Sequence, residues 1–135
     1  MKKLLLLLLI LLISFFTSAC DKKESYILFN SMPFSQNTMT ATKNVFKPGE
    51  RIYYLVTTPK HVETQKLLIQ VFKLGKDERL GYELVWGKMV KMRNEQVYYY
   101  TDYFTFNQTG AYLVKAYSKD YPTKVLTTNN FYIRN

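Results

Sequence analysis

The strongest constraint on the fold of this chain is a succession of short apolar or alternating segments, separated by turn residues, from residue 26 to residue 134. Alternation with a period of two is typical of half-buried β-strands, and no long stretch has the 3.6-residue period of a helix. The turns recur at about the 8 to 12 residues expected of a β-sandwich. Strands are therefore predicted over residues 26–31, 38–46, 51–58, 65–74, 81–90, 96–106, 111–118 and 124–134.

One connection is specific enough to predict its turn type. In the tetrad Lys47-Pro48-Gly49-Glu50, Pro48 fixes φ at the second position and Gly49 accepts the positive φ of the third, which predicts a type II turn. We expect this turn to close a hairpin. Alternation also predicts which residues of two strands face the core, namely Ile52, Tyr54 and Val56, and Tyr112, Val114 and Ala116.

Residues 59–74 allow two interpretations. Between residues 67 and 72 this segment has apolar residues at both odd and even positions, which suits a central strand that is buried on both faces. Pro59 at its start and Gly75 at its end would also suit a helix. Strand is the interpretation that fits the rest of the chain.

The sixth predicted strand contains a conflict of parity. The alternation that buries Phe104 and Phe106 would also bury the carboxylate of Asp102. A β-bulge inserts one extra residue and so changes the face on which the following side chains lie. We therefore expect a bulge near Asp102.

The N-terminus has the order of an export signal. Two lysines follow Met1, an apolar run extends from Leu4 to Phe16, and small residues precede Cys20. The run is shorter than the roughly 20 residues that a membrane-spanning helix needs. We therefore expect residues 1–19 to be a cleaved signal peptide, and the rest of the chain has the size of one domain.

The residues around Cys20 resemble the lipobox of bacterial lipoprotein precursors. Ser18-Ala19-Cys20 matches its small-small-cysteine pattern, and Thr17 stands where Leu is usual, as in the looser lipoboxes of spirochaetes. The resemblance implies acylation of Cys20 and anchoring to membrane lipid of the cell envelope, at the cell surface or on the periplasmic face. Residues 20–25 are then a lipidated tether. Cleavage by ordinary signal peptidase at the same bond is the alternative, and it would leave a free thiol.

A second resemblance lies between the sixth and seventh predicted strands. Phe106 ends an aromatic strand, Gly110 ends a tight turn, and Tyr112 follows two residues later. This arrangement is similar to the tyrosine corner of immunoglobulin-like sandwiches, whose phenol hydroxyl bonds to the backbone a few residues upstream. The resemblance implies an all-β fold in which residues 26–135 form a single immunoglobulin-like antiparallel β-sandwich of about seven or eight strands.

The sequence offers little for catalysis. His61 is the one histidine and Cys20 the one cysteine, so neither a Cys-rich metal site nor a Cys/His nucleophile pair is expected. Glu83 and Asp102 are acidic residues within predicted strands, and a facing pair of carboxylates across the sheet would suit acid/base chemistry. We expect two independent carboxylates instead. The prediction is a protein with no catalytic residue, metal or cofactor.

Charge and aromatic content indicate a binding surface. The chain carries a formal net charge of +9, and 16% of its residues are aromatic. Lys88, Lys91 and Arg93 lie within six residues, and Tyr98 and Tyr100 belong to a tyrosine-rich run that alternation must turn partly outward. These five are the candidate ligand-binding residues, because exposed tyrosines and cations favour contact with a protein or an anionic glycan.

The expected function is therefore a non-catalytic binding module at a membrane, with no nucleic acid partner. The alternative is a structural or assembly subunit of an envelope complex that pairs with a partner strand through a sheet edge. Binding to an anionic ligand weakens steeply with salt, whereas strand pairing is largely insensitive to it.

Overall fold

The computed structural model describes residues 25–57, 66–77, 79, 81–93, 99–118 and 125–135. The predicted signal peptide, Cys20 with most of the predicted tether, His61 and Tyr98 lie outside these residues. Within the described residues, no helix is long and apolar enough to cross a membrane.

The described part of the chain folds into eight strands. They are β1 (Tyr26–Asn30), β2 (Val45–Phe46), β3 (Arg51–Thr57), β4 (Lys66–Leu74), β5 (Tyr82–Lys91), β6 (Tyr99–Thr105), β7 (Gly110–Ser118) and β8 (Val125–Ile133). The strand predicted at residues 65–74 is confirmed by β4, and the prediction for residues 59–65 lies outside the described residues.

The strands form two sheets, one of order β1-β3-β6 and one of order β2-β8-β7-β4-β5. Neighbouring strands are antiparallel except for β2 and β8, which are parallel. The chain passes from one sheet to the other at most of its connections, as in the Greek-key connectivity of immunoglobulin-like sandwiches. The predicted fold class, an all-β immunoglobulin-like sandwich, is confirmed.

The predicted type II turn is present, but it does not close a hairpin. Gly49 has a φ of +79°, and the backbone N–H of Glu50 donates to the carbonyl of Lys47 at 3.1 Å. The turn joins β2 to β3, which belong to different sheets. The hairpin prediction was wrong because β2 pairs with β8, which leaves β3 to pair with β1 and β6.

The strand predicted at residues 38–46 is present only as the short β2. Thr38 explains the difference, because its side chain donates to the carbonyl of Pro33 at 2.9 Å and accepts from the backbone N–H of Ser35 at 2.8 Å. Its carbonyl in turn accepts from the side chain of Asn30 at 3.1 Å. Side-chain bonds of this kind compete with strand pairing and hold the backbone in turns.

The core lies between the two sheets and follows the predicted alternation. Ile52, Tyr54 and Val56 of β3 are at most 2% exposed, and so are Tyr112, Val114 and Ala116 of β7. β4 is central in its sheet, as predicted, but only one of its faces is buried. Its buried residues are Leu67, Ile69 and Val71, whereas the intervening side chains are half-buried.

The connection between β6 and β7 has the geometry of a tyrosine corner. The hydroxyl of Tyr112 donates to the carbonyl of Gln108 at 2.7 Å, and the Tyr112 ring stacks on Phe106 with 5.1 Å between centroids. Gly110 begins β7 with a φ of +149°, which residues with side chains rarely adopt. The ring and the hydroxyl of Tyr112 therefore tie the corner to the core.

Replacing Tyr112 by Phe tests this contact. The Tyr112→Phe variant keeps the buried ring but leaves the carbonyl of Gln108 without its donor, so we expect the free energy of unfolding to fall by about 1 kcal/mol. Urea denaturation of both proteins measures the difference. Tyr117→Phe, on the opposite face of β7, is the matched control and should change stability by less than about 0.5 kcal/mol. Equal losses in both variants would contradict the role of the corner.

Candidate binding surface

The candidate ligand-binding residues do not form one exposed patch. Lys91 ends β5 and Arg93 follows it, and both are exposed. Lys88 lies within β5, whereas Tyr100 lies half-buried in β6 of the other sheet. Tyr98 is outside the described residues.

Lys88 and Tyr100 both contact the carboxylate of Asp102, and the three residues form an inter-sheet cluster. The Lys88 ammonium forms an ion pair with Oδ2 of Asp102, and the Tyr100 hydroxyl donates to the same oxygen at 3.1 Å. The backbone N–H of Tyr103 donates to Oδ1 at 2.9 Å. Since β5 and β6 are edge strands of different sheets, the cluster joins the two sheets at one side of the sandwich.

No bulge lies near Asp102, so that prediction was wrong. β3 and β6 keep one register along their whole ladder, with Asp102 opposite Tyr54 and Phe104 opposite Ile52. Asp102 therefore shares the core-facing side with Phe104, as simple alternation requires. Its carboxylate is tolerated there because it lies at the edge of the sandwich, with 26% of the side chain exposed, and because Lys88 neutralises it.

The cluster keeps Asp102 ionised. Burial raises the pKa of this carboxyl, but the hydrogen bonds from Lys88, the Tyr103 backbone and Tyr100 outweigh burial and hold the pKa below its ordinary value. The pKa of Lys88 is raised by its hydrogen bonds to Asp102 and Tyr100. Burial also raises the pKa of Tyr100. A carboxylate that stays ionised and a lysine that stays protonated form a structural pair and suit proton transfer poorly.

Glu83 and Asp102 do not face each other as a pair of carboxylates. Glu83 lies opposite Lys73 in the ladder of β4 and β5, whereas Asp102 lies in the other sheet. Among the described residues, no group of three His, Cys, Asp or Glu side chains is placed to hold a metal ion.

Among the strands of the described residues, β5 has the largest share of exposed residues, and its free edge is the side of Tyr82–Lys91 that faces away from β4. β5 is the last strand in the order of its sheet and has ten residues, of which eight are exposed. The exposed residues include apolar side chains that are 41–52% accessible, namely Tyr82, Leu84, Val85 and Met89.

Sequence reasoning missed these apolar residues as a candidate surface. A short run that is apolar on both parities is typical of a buried strand, and nothing local distinguishes a central strand from an edge strand. The position of β5 at the edge follows from the order of all strands in the sheet.

Comparison with known proteins finds no matching family model and no matching curated protein. Among solved structures, the chain is similar to a superoxide reductase (neelaredoxin) from Ignicoccus hospitalis, with 11% identity, a TM-score of 0.48, and coverage of 87% of this chain and 86% of that one. The PmoD soluble domain from Methylocystis sp. gives 9% identity and a TM-score of 0.48 over 82% and 90% of the two chains. A β-glucosidase from Listeria innocua gives 12% identity and a TM-score of 0.41 over 84% of this chain and 16% of that one. Similarities at this level say nothing about what this chain does.

The inter-sheet cluster predicts a specific dependence of stability on pH. Because the folded-state pKa of Asp102 is lowered, its contribution is present above the ordinary carboxyl pKa of about 4 and is lost as the pH falls through the folded-state value. Asp102→Asn should therefore destabilise the protein at pH 7, and its difference from the unmodified chain should shrink below about pH 4. Solvent screening of the partly exposed pair keeps the loss at about 1 kcal/mol or less.

Urea denaturation across this pH range measures the effect. Glu83→Gln replaces an exposed carboxylate of β5 and serves as the control, with a smaller loss expected at pH 7 because the ammonium of its cross-strand neighbour Lys73 bonds to Gln108. In a double-mutant cycle, the combined variant Lys88→Met and Asp102→Asn should lose less stability than the sum of the two single losses, because each single change already removes the same ion pair. Additive losses would contradict the ion pair.

Proposed function

We propose that this protein is a bacterial lipoprotein, anchored to an envelope membrane through acylated Cys20, whose domain is a non-catalytic interaction module. The free edge of β5 is the surface that binds its protein partner, by addition of a partner strand. The observation that carries this proposal is a ten-residue edge strand whose outer side is exposed.

The length of β5 sets it apart from the other edge strands of the described residues. β2 has two residues, β1 has five and β6 has seven. Natural sheets usually shorten their edges or protect them with proline or inward-pointing charges, because an open edge offers unpaired N–H and C=O groups to any other strand. β5 contains no proline, but it has a bulge at Val85 and an inward-pointing charge at Lys88, which Asp102 neutralises. Beyond the bulge its ladder with β4 is regular, so residues 86–91 are the part of the edge suited to main-chain pairing with a partner.

The side chains of β5 add specificity to such pairing. A strand added to an edge contributes main-chain hydrogen bonds, while side chains on alternating faces select the sequence that binds. Leu84 and Met89 offer apolar contacts on the exposed strand, and each has about half of its surface accessible, 52% and 51% respectively. The same residues would be a liability for aggregation in a protein without a partner.

The structure gives less support to an anionic glycan as the partner than to a strand of another protein. Of the three basic candidates, Lys88 is paired with Asp102 within the domain, which leaves Lys91 and Arg93 as exposed cations at one end of β5. Two exposed cations form a smaller anion-binding site than the three basic residues that the sequence analysis grouped together. Salt dependence distinguishes the two modes, because charge-driven binding is screened at high ionic strength.

Lipidation is tested by labelling cells with palmitate. The unmodified chain should incorporate the label and partition into detergent, because acyl chains bury about 0.8 kcal/mol per methylene group in a membrane. Cys20→Ala should abolish both. Lys22→Ala, in the same tether, is the control and should leave both unchanged. Undiminished labelling of Cys20→Ala would contradict the anchor.

Strand addition at β5 is tested by photo-crosslinking in the envelope of the producing cell. A photoreactive residue at Met89 should give a discrete adduct, whereas one at Val45, which is exposed on the opposite edge of the same sheet, should not. The yield at Met89 should change little between about 0.05 and 0.5 M NaCl. Val85→Lys should reduce it. Equal adducts at both positions would contradict strand addition, and a steep loss with salt would favour an anionic partner.

A further inference from the structure

A cavity of about 440 Å³ lies on the outer face of the three-stranded sheet, outside the core and away from β5. Its floor is formed by Leu55 and Thr57 of β3 and by Tyr99 and Thr101 of β6, and its wall by the loop after β1. The volume falls within the range of roughly 300 to 1,000 Å³ that is usual for small-molecule sites.

The lining selects an apolar ligand without charge. Phe34, Met39, Leu55 and Tyr99 form the apolar and aromatic part of the lining, and the other lining residues carry hydroxyls and one amide. No charged side chain lines the cavity within the described residues. Leu55 is only 4% exposed although it points away from the core, so this face buries apolar surface of its own.

One polar group in the lining lacks a partner. The hydroxyl of Thr57 is buried and makes no hydrogen bond to the described part of the chain. Buried polar groups in folded proteins are nearly always hydrogen-bonded, and an exception calls for a specific explanation. The oxygen is closed off from the cavity, so a ligand there is held by the apolar lining and not by this hydroxyl.

The wall of the cavity is held in place without a ligand. Backbone N–H groups of Thr38 and Met39 both donate to the carbonyl of Ser35 at 3.1 Å. The side chain of Asn30, at the end of β1, donates to the carbonyl of Thr38 at 3.1 Å. The loop is thereby tied to the sheet that it covers, so the site is already formed.

The cavity lies at the end of the domain from which the tether leaves. Tyr26 pairs with Thr57, and Thr57 pairs with Tyr99, so the first residue of β1 stands in one row with two lining residues. Six residues lead back from Tyr26 to Cys20. Fully extended, they span at most about 20 Å.

From these observations we infer that the cavity binds a lipid acyl chain through its apolar lining. The lipid comes either from the acyl group on Cys20 itself or from another lipid of the same membrane. The first source rests on the proposed lipidation, whereas the binding chemistry of the cavity does not.

The cavity is tested first with the full chain carrying Cys20→Ala, which has no covalent acyl group. Isothermal titration with 1-monolauroylglycerol should show saturable binding to a single site, and glycerol alone should show none. Thr101→Trp fills the cavity and should weaken binding at least about tenfold, equivalent to about 1.4 kcal/mol. Thr105→Trp is the matched control, because Thr105 is exposed on the same face of β6 outside the cavity, and should bind within about twofold of the parent.

Thr57→Val is a second control. It keeps the shape of the side chain and removes the enclosed hydroxyl, so 1-monolauroylglycerol should bind within about twofold of the parent, while the midpoint of urea denaturation should be unchanged or higher. Met89→Lys, on β5, should not alter binding. If the crosslinking test of strand addition at β5 fails, binding of 1-monolauroylglycerol to the cavity is unaffected. If that binding fails, the crosslinking test is unaffected.

The native lipidated protein distinguishes the two sources. If the acyl group on Cys20 fills the cavity, 1-monolauroylglycerol should bind to Cys20→Ala but not to the lipidated chain. Equal binding to both assigns the site to another membrane lipid. Absence of saturable binding to Cys20→Ala, or equal weakening by Thr101→Trp and Thr105→Trp, would overturn the inference.

Discussion

The ring of Phe131 is the contact on which both sheets depend. It is fully buried and stacks on Tyr112 of its own sheet, with 4.9 Å between centroids and 4° between planes. It also meets Phe29 at 5.3 Å and Phe104 at 5.5 Å, which belong to the other sheet. Aromatic pairs at these separations add to the large apolar area that each ring buries. Because Tyr112 also bonds to Gln108, the same stack fixes the corner between β6 and β7.

Asp102 shows how this core ends at one side. Continuous alternation in β6 brings its carboxylate to the same face as Phe104, where an unpaired charge would be costly. Lys88 reaches it from β5 and closes that side of the sandwich. The Lys88 side chain is thereby used inside the domain, while no strand of the described residues pairs with the outer backbone edge of β5. Under the proposed function, the same strand would both stabilise the fold and pair with a partner.

Local patterns predicted the fold where one physical rule dominated. Alternation in β3 and β7 and the Pro48-Gly49 turn depend on neighbouring residues alone, and the structure agrees with each. Wrong predictions depended on distant partners. The hairpin after Gly49 failed because β2 pairs with β8, far along the chain, and the bulge at Asp102 failed because Lys88 supplies the counter-charge. The free edge of β5 could not be predicted, since it is a property of strand order.

The sequence analysis assigned basic and aromatic residues to one binding surface, but in the structure the exposed basic residues lie at one end of the sandwich. Lys66 and Lys91 stand directly opposite each other at one end of the ladder of β4 and β5, and like charges in that position repel. Leu67, next to Lys66, pairs with Ser118 at the end of β7. β7 follows β6 after a short turn and runs back, so its end lies where β6 begins. The first residue of β6, Tyr99, stands in one row with Tyr26, so these lysines lie at the same end of the sandwich as the start of β1. Under the proposed anchoring this end faces the bilayer, where anionic headgroups would attract each lysine by about 1 kcal/mol and offset the repulsion between them. In that orientation the exposed cations would contact the membrane, and the apolar part of β5 would remain available to the proposed partner.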